Sequence, residues 1–385
     1  MSLEIERVSN NKQLKEFVSV PWAVYKNEPN WVPFLYFERL EFFDKNKNPF
    51  FEHAEADYFI ARRDGRPVGT IAAILNHRHN EFHQENVAHF GVFEVMNDPE
   101  AAAALLQMAC NWAEERGAER ILGPFNLSTN DECGLLIEGF DDPPAILMTY
   151  NPPYYMDFLE AAGFQKAMDL YAWLKDTEEL AAEGGLPDKL LRIVGKVKDR
   201  YKLTVRPLNK SNWEHEVAGV KTVYNDAWEK NWGFVPMTDS EIDRLAEGLR
   251  PIVDERIAFM VEKEGDPVGF SLNLPDISQL LHEIRPGPSL ISSYAAIARV
   301  LFHLRFNKEK VTRMRAIAFG VKQDFRARGV DGLLLYEACS RAAPVGYKWL
   351  EASWILETND KMNQTIELFG CTLYKKYRIY EKQLV

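Results

Sequence analysis

The sequence predicts two mixed α/β (α+β) units in tandem. Three observations carry this: an internal repeat, a matching order of strands and helices in the two halves, and a length and composition that suit two or three soluble domains. The repeat fixes the architecture and comes first. Phe59-Ile-Ala-Arg-Arg-Asp-Gly-Arg-Pro-Val-Gly69 recurs 200 residues later as Phe259-Met-Val-Glu-Lys-Glu-Gly-Asp-Pro-Val-Gly269. Phe, Gly, Pro, Val and Gly fall at identical places, and each copy reads as strand, glycine turn, strand, which is a β-hairpin. The same offset pairs Ile5 with Val205, and Asn30-Trp31 with Asn231-Trp232 one residue further on. Each Asn-Trp is followed by Val-Pro within a few residues, and these four agreements in one order mark a tandem duplication with its seam near residues 175–200.

The elements follow in order. The first half, residues 1–175, reads as strand 3–8, helix 11–27, hairpin 57–75, strand 88–95, helix 99–117, strand 119–124 and a late strand near 166–174. Residues 176–200 read as an acidic, glycine-bearing linker (Asp176 to Gly185) and a helix from 187. The second half, 201–385, repeats the order: strand 203–207, helix 212–228, hairpin 257–274, a longer insertion at 277–313, strand 314–321, helix 330–343, strand 348–356, helix 359–369 and strand 371–382. Asp98-Pro99-Glu100 is a helix start, with a capping carboxylate, a first-position proline and an acid near the positive helix end. Gly117 and Gly370 are natural helix stops.

Composition narrows the function. Of 385 residues, 46% are hydrophobic and 27% charged, an ordinary globular balance that buries ample core. The 46 Lys+Arg against 57 Asp+Glu give a formal charge of −11, which argues against DNA or long RNA as partner. Cys110, Cys133, Cys339 and Cys371 are scattered, without zinc-ligand or disulfide spacing, as expected of reduced thiols. No apolar run reaches membrane-spanning length, because Arg299 and Arg305 interrupt the stretch from Ala295 to Phe306. Without a basic-then-apolar leader as well, the expectation is a cytoplasmic protein with no membrane partner.

Chemistry concentrates at residues 314–382. The run Arg315-Ala-Ile-Ala-Phe-Gly-Val-Lys-Gln-Asp-Phe-Arg326-Ala-Arg-Gly329-Val-Asp331-Gly-Leu-Leu is a strand, a loop carrying Arg-x-x-Gly-x, and an apolar helix start. It resembles the signature segment of the GNAT superfamily of acyltransferases, whose pattern is Arg/Gln-x-x-Gly-x-Gly/Ala. The resemblance covers about 70 residues directly and reaches the first half through the repeat. It implies two GNAT-like domains in tandem, each a mostly antiparallel sheet flanked by helices. It also implies that Arg326, Arg328, Gly329, Val330, Asp331 and Gly332 cradle the pyrophosphate of acetyl-CoA or another acyl-CoA. Unpaired amides at a positive helix end are the physical basis of such a site. Gly320 and Val321 would align the thioester arm through backbone N–H groups, and Asn359 would contact the pantetheine end.

Two departures stand out. Asp331 replaces the second small residue, where its carboxylate opposes a phosphate and can itself cap the helix. The tyrosine acid that many family members carry four residues before the terminal helix glycine is Ile366 here, and Leu159 in the first copy. The first copy departs further. Phe90-Gly-Val-Phe-Glu-Val95 leads straight into Met96-Asn-Asp-Pro-Glu100, with no glycine nest and two carboxylates at the helix start. Only the second half is therefore expected to bind coenzyme, with the first shaping the acceptor pocket.

Outside the resemblance, Asn126, Asn130 and Glu132 follow a predicted strand, and Tyr154 sits at a second turn. Loops after strand ends are where α/β folds place ligand groups, so these four are substrate candidates; turn-building is the plain alternative. Trp232 follows the first helix of the second copy and would line the acceptor side. Glu351 and Ser353 share one face of a strand, making Glu351 a candidate base. His77, His79 and His83 read as a solvated connection, and no metal is expected.

The function expected is transfer of an acetyl or other acyl group from CoA to an amine of a small molecule or peptide. Polarised carbonyl, neutral amine and alignment are its requirements. A non-catalytic acyl-CoA sensor is the alternative, and a Fem-type aminoacyl transferase, which also has tandem halves, is the third.

Overall fold

A computed structural model describes residues 2–181, 188–228, 231–326 and 328–384. Residues 182–187 of the expected linker lie outside the described residues. In chain order the elements begin with β1 (Leu3–Arg7), α1 (Asn11–Val24), α2 (Tyr36–Phe42), β2 (Ala54–Arg63), β3 (Arg66–Asn76) and α3 (His77–His83). Then come β4 (Val87–Val95), α4 (Pro99–Glu114), β5 (Arg120–Gly123), β6 (Leu135–Glu138), α5 (Tyr155–Ala161) and β7 (Gln165–Asp176). The middle of the chain holds α6 (Thr177–Ala181), α7 (Asp188–Tyr201), β8 (Leu203–Pro207), α8 (Trp213–Trp228), α9 (Asp239–Leu249), β9 (Phe259–Lys263) and β10 (Asp266–Pro275). The last elements are α10 (Ser278–Ile284), α11 (Leu290–Phe306), β11 (Arg313–Val321), α12 (Val330–Ala342), β12 (Trp349–Leu356), α13 (Asp360–Leu368) and β13 (Thr372–Gln383).

These elements form two compact units. One is Met1–Leu170 with Leu280–Val300 and Lys375–Val385; the other is Tyr171–Gln279 with Leu301–Tyr374. In the first unit the strand order is β1-β2-β3-β4-β5-β13, with β6 also on β13. In the second it is β8-β9-β10-β11-β12, followed by β7. The pairings are mostly antiparallel, from β1–β2 through β3–β4 and from β8–β9 through β10–β11, while β4–β5 and β11–β12 run parallel. A strand from the C-terminal half thus completes the first unit, where Tyr380 pairs with Gly123.

The duplication is visible in the hydrogen-bond register. Gly69 pairs with Val95 and Gly269 pairs with Val321, so the two glycines hold the same topological place. Both hairpins turn through two residues of positive φ, Asp64-Gly65 at 49° and 78°, and Glu264-Gly265 at 55° and 93°. That backbone is the type I′ turn, whose twist suits the flanking strands and which glycine enters without strain. It explains why the repeat keeps its turn glycine.

Packing follows the apolar pattern. Helix α4 starts where the sequence predicts, with the Asp98 carboxylate accepting from the Ala101 N–H and Pro99 in the first turn. Its buried face of Leu105, Leu106, Ala109 and Trp112 covers Ile71 and Ala73 of β3 and Phe90 of β4. Each large side chain removed from water there contributes about 1.5–3 kcal/mol. The connection after β3 is a correction: residues 77–83 form helix α3 rather than a solvated loop. Asn76 caps it by accepting from the His79 N–H, and His79 is buried with its ring 4.7 Å from that of His89.

Candidate active site

In the second unit, β11 and β12 run parallel and pair from Arg313 with Trp349 as far as Ala316 with Ala352. Beyond that point the register ends and the two strands diverge. Facing β10, β11 carries one extra residue: Leu272 pairs with Ala318 but Asn273 with Ala316, leaving Ile317 as a bulge. A bulge bends its strand and re-aims the residues beyond it, here the segment from Ala318 to Val321. Lys322 N–H donates to Val268 O. By the alternation of an antiparallel ladder, Gly320 exchanges bonds with Phe270, and the Val321 N–H points to the opposite edge, toward the opening. Of the Gly320/Val321 pair, Val321 is therefore the donor aimed at the gap.

Gly320 matters by lacking a side chain. A Cβ there would lie 2.6 Å from the Phe270 ring and 3.1 Å from Trp228. Trp228 packs on Phe270 at 5.9 Å between ring centroids and on Tyr224 at 4.7 Å, and Tyr224 packs on Phe234 at 6.1 Å. An aromatic wall therefore lies beside the diverging end of β11.

The Arg326–Gly332 loop leads into α12. Gly329 is its N-cap, at φ +83°, and no side chain caps this helix. Asp331 does not cap α12, contrary to the sequence expectation, because it already lies in the first turn and Gly329 holds the cap position. Burial raises the Asp331 carboxyl above the usual carboxylate range, while Arg326 and the Asp331 N–H pull it down. The first-turn amides of Val330, Asp331 and Gly332 precede the first intrahelical bond from Leu333, so the positive helix end is in place. A Cβ on Gly332 would meet open space. Arg326 is directed elsewhere: its guanidinium donates to Val321 O and to Asp226 O of α8, while Asp226 Oδ2 accepts from the Gln323 N–H. The Arg328 guanidinium lies over the rings of Tyr201 and Phe325.

Glu351 is completely buried on β12. Its carboxylate accepts from Ser353 Oγ at 2.7 Å and from the Tyr374 hydroxyl at 2.6 Å, and Arg315 Nε donates to Ser353 Oγ at 3.0 Å. Asn359 caps α13, accepting from the Met362 N–H. Trp232 is half-buried in the loop after α8. Ile366 and Leu159, at the places of the usual tyrosine acid, are wholly buried apolar side chains. Sequence reasoning passed over Tyr374 and Asp226, since nothing local distinguishes a strand tyrosine or a helix aspartate until the partner is known.

The first unit treats the same region differently. Its β4–β5 pair stays closed past the register, with Phe125 N–H donating to Phe90 O and Val92 N–H to Asn126 Oδ1. Asn126 Nδ2 donates to Glu132, which in turn receives Arg39. Asn130 lies in the same loop, its N–H donating to Ser128 Oγ. The Tyr154 hydroxyl donates to Val95 O, and burial raises it to about 12. Asn126, Glu132 and Tyr154 thus gather around the end of β4 and hold it shut. Beside them Glu94, the register equivalent of Gly320, is partly buried and accepts from Tyr25 and Tyr155, and desolvation raises its carboxyl to about 8. Asp98 and Glu100, at the start of α4, are both paired with Arg63.

Splayed parallel strands, a bulge before the splay, and a glycine-capped helix behind it define this chain as a tandem GNAT-fold protein. Solved structures agree on the fold. A tandem GNAT protein from the clavulanic acid biosynthesis pathway superposes with a TM-score of 0.55, at 11% identity over all of this chain and 99% of the other. A GCN5-related N-acetyltransferase from Sphaerobacter thermophilus gives 0.51, at 12% identity over 99% and 96%. No family model matches the sequence. Two curated proteins are similar along nearly their whole length. Protein YghO of Escherichia coli (strain K12) is 34% identical over 97% of this chain and 94% of its own. The bacterial ceramide synthase of Caulobacter vibrioides is 34% identical over 99% and 98%. The chain belongs to the family of these two proteins.

Proposed function

We propose that this protein is an acyl-CoA-dependent N-acyltransferase whose coenzyme site lies in the second unit. The observation that carries the reading is the divergence of β11 from β12 immediately before the glycine-capped start of α12. The first-turn amides would hold the pyrophosphate, and the Val321 N–H would meet the thioester arm. The amine nitrogen attacks the thioester carbon, the C–S bond breaks, and the thiolate takes a proton from solvent. The proton lost by the nitrogen passes to Glu351 through the Tyr374 hydroxyl, which replaces the missing helix tyrosine as the polar group near the reaction. Asn359, its side-chain carbonyl engaged in capping, keeps its amide N–H for the pantetheine arm, and Trp232 lines the acceptor side.

The acyl group is longer than acetyl, and the acceptor is a long-chain amine. The aromatic wall of Trp228, Phe270 and Tyr224 is the structural support, because an apolar lining stabilises each added methylene by about 0.8 kcal/mol. The name of the Caulobacter relative points the same way, since a ceramide is an amide of a fatty acid and a long-chain amino alcohol. Release of free CoA thiol is the test, measured with acyl chains from two to sixteen carbons and a long-chain amino alcohol as acceptor. Activity should rise with acyl length. Tight coenzyme binding without thiol release would support the non-catalytic alternative, which the carboxylate of Asp331 and the apolar Ile366 favour. Absence of coenzyme binding would refute both.

A further inference from the structure

Helix α11 carries apolar side chains around most of its circumference, interrupted by Ser292, Arg299, His303 and Arg305, and a helix that apolar ordinarily buries more than one face. Only one face is buried. Ser293, Ala296 and Val300 point inward, with Ser293 Oγ accepting from the Tyr36 N–H at 2.7 Å. The turn before the helix is fixed to the same part of the first unit, where Trp22 Nε1 donates to Pro286 O and Arg285 donates to Trp31 O. The opposite face carries Ile291 at 84% exposure, Tyr294 at 58%, Phe302 at 54% and Phe306 at 64%, with Leu301 beside them. At 100° per residue, Ile291, Tyr294, Leu301, Phe302 and Phe306 fall within one arc of a single continuous helix, with Arg305 among them, so the geometry of the stripe is that of the helix alone.

At the N-terminal end of the stripe the charge is mixed, because Tyr294 stacks on Phe37 of α2 at 5.0 Å and lies near the Lys47–Glu41 pair; at the C-terminal end it is basic. Arg299, Arg305, Lys308 and Lys310 are exposed within or just after the helix, against Glu309 alone, in a chain of net charge −11. Arg305 sits over the Phe306 ring at 5.2 Å, the posture of a side chain whose stem lies on apolar surface while its head reaches polar groups. The segment is also an addition to the repeat. Ten residues join β3 to β4, whereas 37 join β10 to β11, and α11 lies in that excess.

We propose that the outer face of α11 docks on the surface of an anionic lipid bilayer, lying in the headgroup plane. Exposed aromatics, a wide apolar arc and flanking basic residues are what such helices present. No helix of the described residues is long and apolar enough to cross a membrane, so the contact is peripheral. It departs from the sequence expectation of no membrane partner. It also stands apart from the acyl-transfer reading, because vesicle binding is measured without coenzyme or acceptor.

The experiment is sedimentation of the full chain with phosphatidylglycerol-containing vesicles and with pure phosphatidylcholine vesicles, at low and at ~0.5 M salt. Binding should require the anionic lipid and weaken with salt. Ile291→Ser combined with Phe302→Ser should lower the partition coefficient at least about tenfold, the loss of two large apolar side chains. Lys308→Gln combined with Lys310→Gln leaves the apolar stripe intact and should lower it about 25-fold, near fivefold per basic residue. The second pair decides the matter if the first disturbs folding. Vesicle binding unchanged in the lysine pair would overturn the proposal. So would a soluble dimer that disperses in the Ile291/Phe302 variant while the wild type ignores vesicles, since a second copy would then cover the stripe.

Discussion

Replacing Glu94 by Gln should change how the stability of the first unit depends on pH. Desolvation raises this partly buried carboxyl to about 8, against an ordinary value of 4.5. A carboxyl raised in the folded state holds its proton there while the unfolded chain has already lost it. Stability therefore falls as pH rises from about 4.5 to 8, and is level above. The full effect is about 5 kcal/mol, at roughly 1.4 kcal/mol per unit of pH across the window. Glutamine keeps an acceptor for the Tyr25 and Tyr155 hydroxyls and carries no titratable proton. The E94Q variant should nearly match wild type at pH 5, exceed it progressively up to about pH 8 and keep a constant lead above that. For a unit of this size each kcal/mol moves Tm by about 2–4 °C, so a difference on the order of 10 °C is expected. The assay is thermal unfolding from pH 5 to 9 for both proteins. Taking the difference between them removes His79 and His89, which burial depresses and which act in the acid part of the range. A constant difference across pH would refute the assignment of a neutral Glu94.

Further outcomes concern the second unit. Asp331→Asn should tighten acyl-CoA binding by calorimetry about two- to fivefold, the effect of about 0.3–1 kcal/mol for one charge at a helix N-terminus. Because the carboxyl is raised, wild-type affinity should improve on acidification sooner than an ordinary aspartate would allow, and D331N should lose that trend. Gly329→Ala must place a side chain at φ +83° and 3.0 Å from Val197. It should cost about 1–2 kcal/mol of stability in denaturant titration and weaken coenzyme binding. Tyr374→Phe removes one donor to the buried Glu351 and should lower kcat with little change in KM, displacing the pH profile. Unchanged kcat would exclude the Tyr374–Glu351 proton route.

Much of this fold was legible from residue order. The hairpin glycines and the helix start at Asp98 follow from turn and cap chemistry that is local, so the sequence carries them openly. The Arg326–Gly332 segment was equally readable, as a motif whose glycine sits where positive φ is required. Membership of β7 and β13 was not, because an alternating strand pattern shows which face is apolar but not which neighbour it joins. Glu94 lay hidden in an apolar run, since a neutral, partly buried carboxylic acid looks like any strand residue until its hydroxyl partners are known. Asn126 and Glu132 were found as polar loop residues, but their spending of hydrogen bonds on Val92, on each other and on Arg39 is a tertiary fact.

The placement of β13 bears on how the protein is made. Its residue Tyr380 pairs with Gly123, 257 positions earlier, so the first unit cannot close its sheet until the other half of the chain has been synthesised. Contacts so distant in sequence slow folding, because the intervening chain must be ordered or gathered first. Meanwhile the edge of β5 stands open as a template for any other extended segment, a hazard for a nascent chain. Severing the chain near residue 180 would likewise yield two fragments that each lack a strand, and they should regain their folds only when mixed.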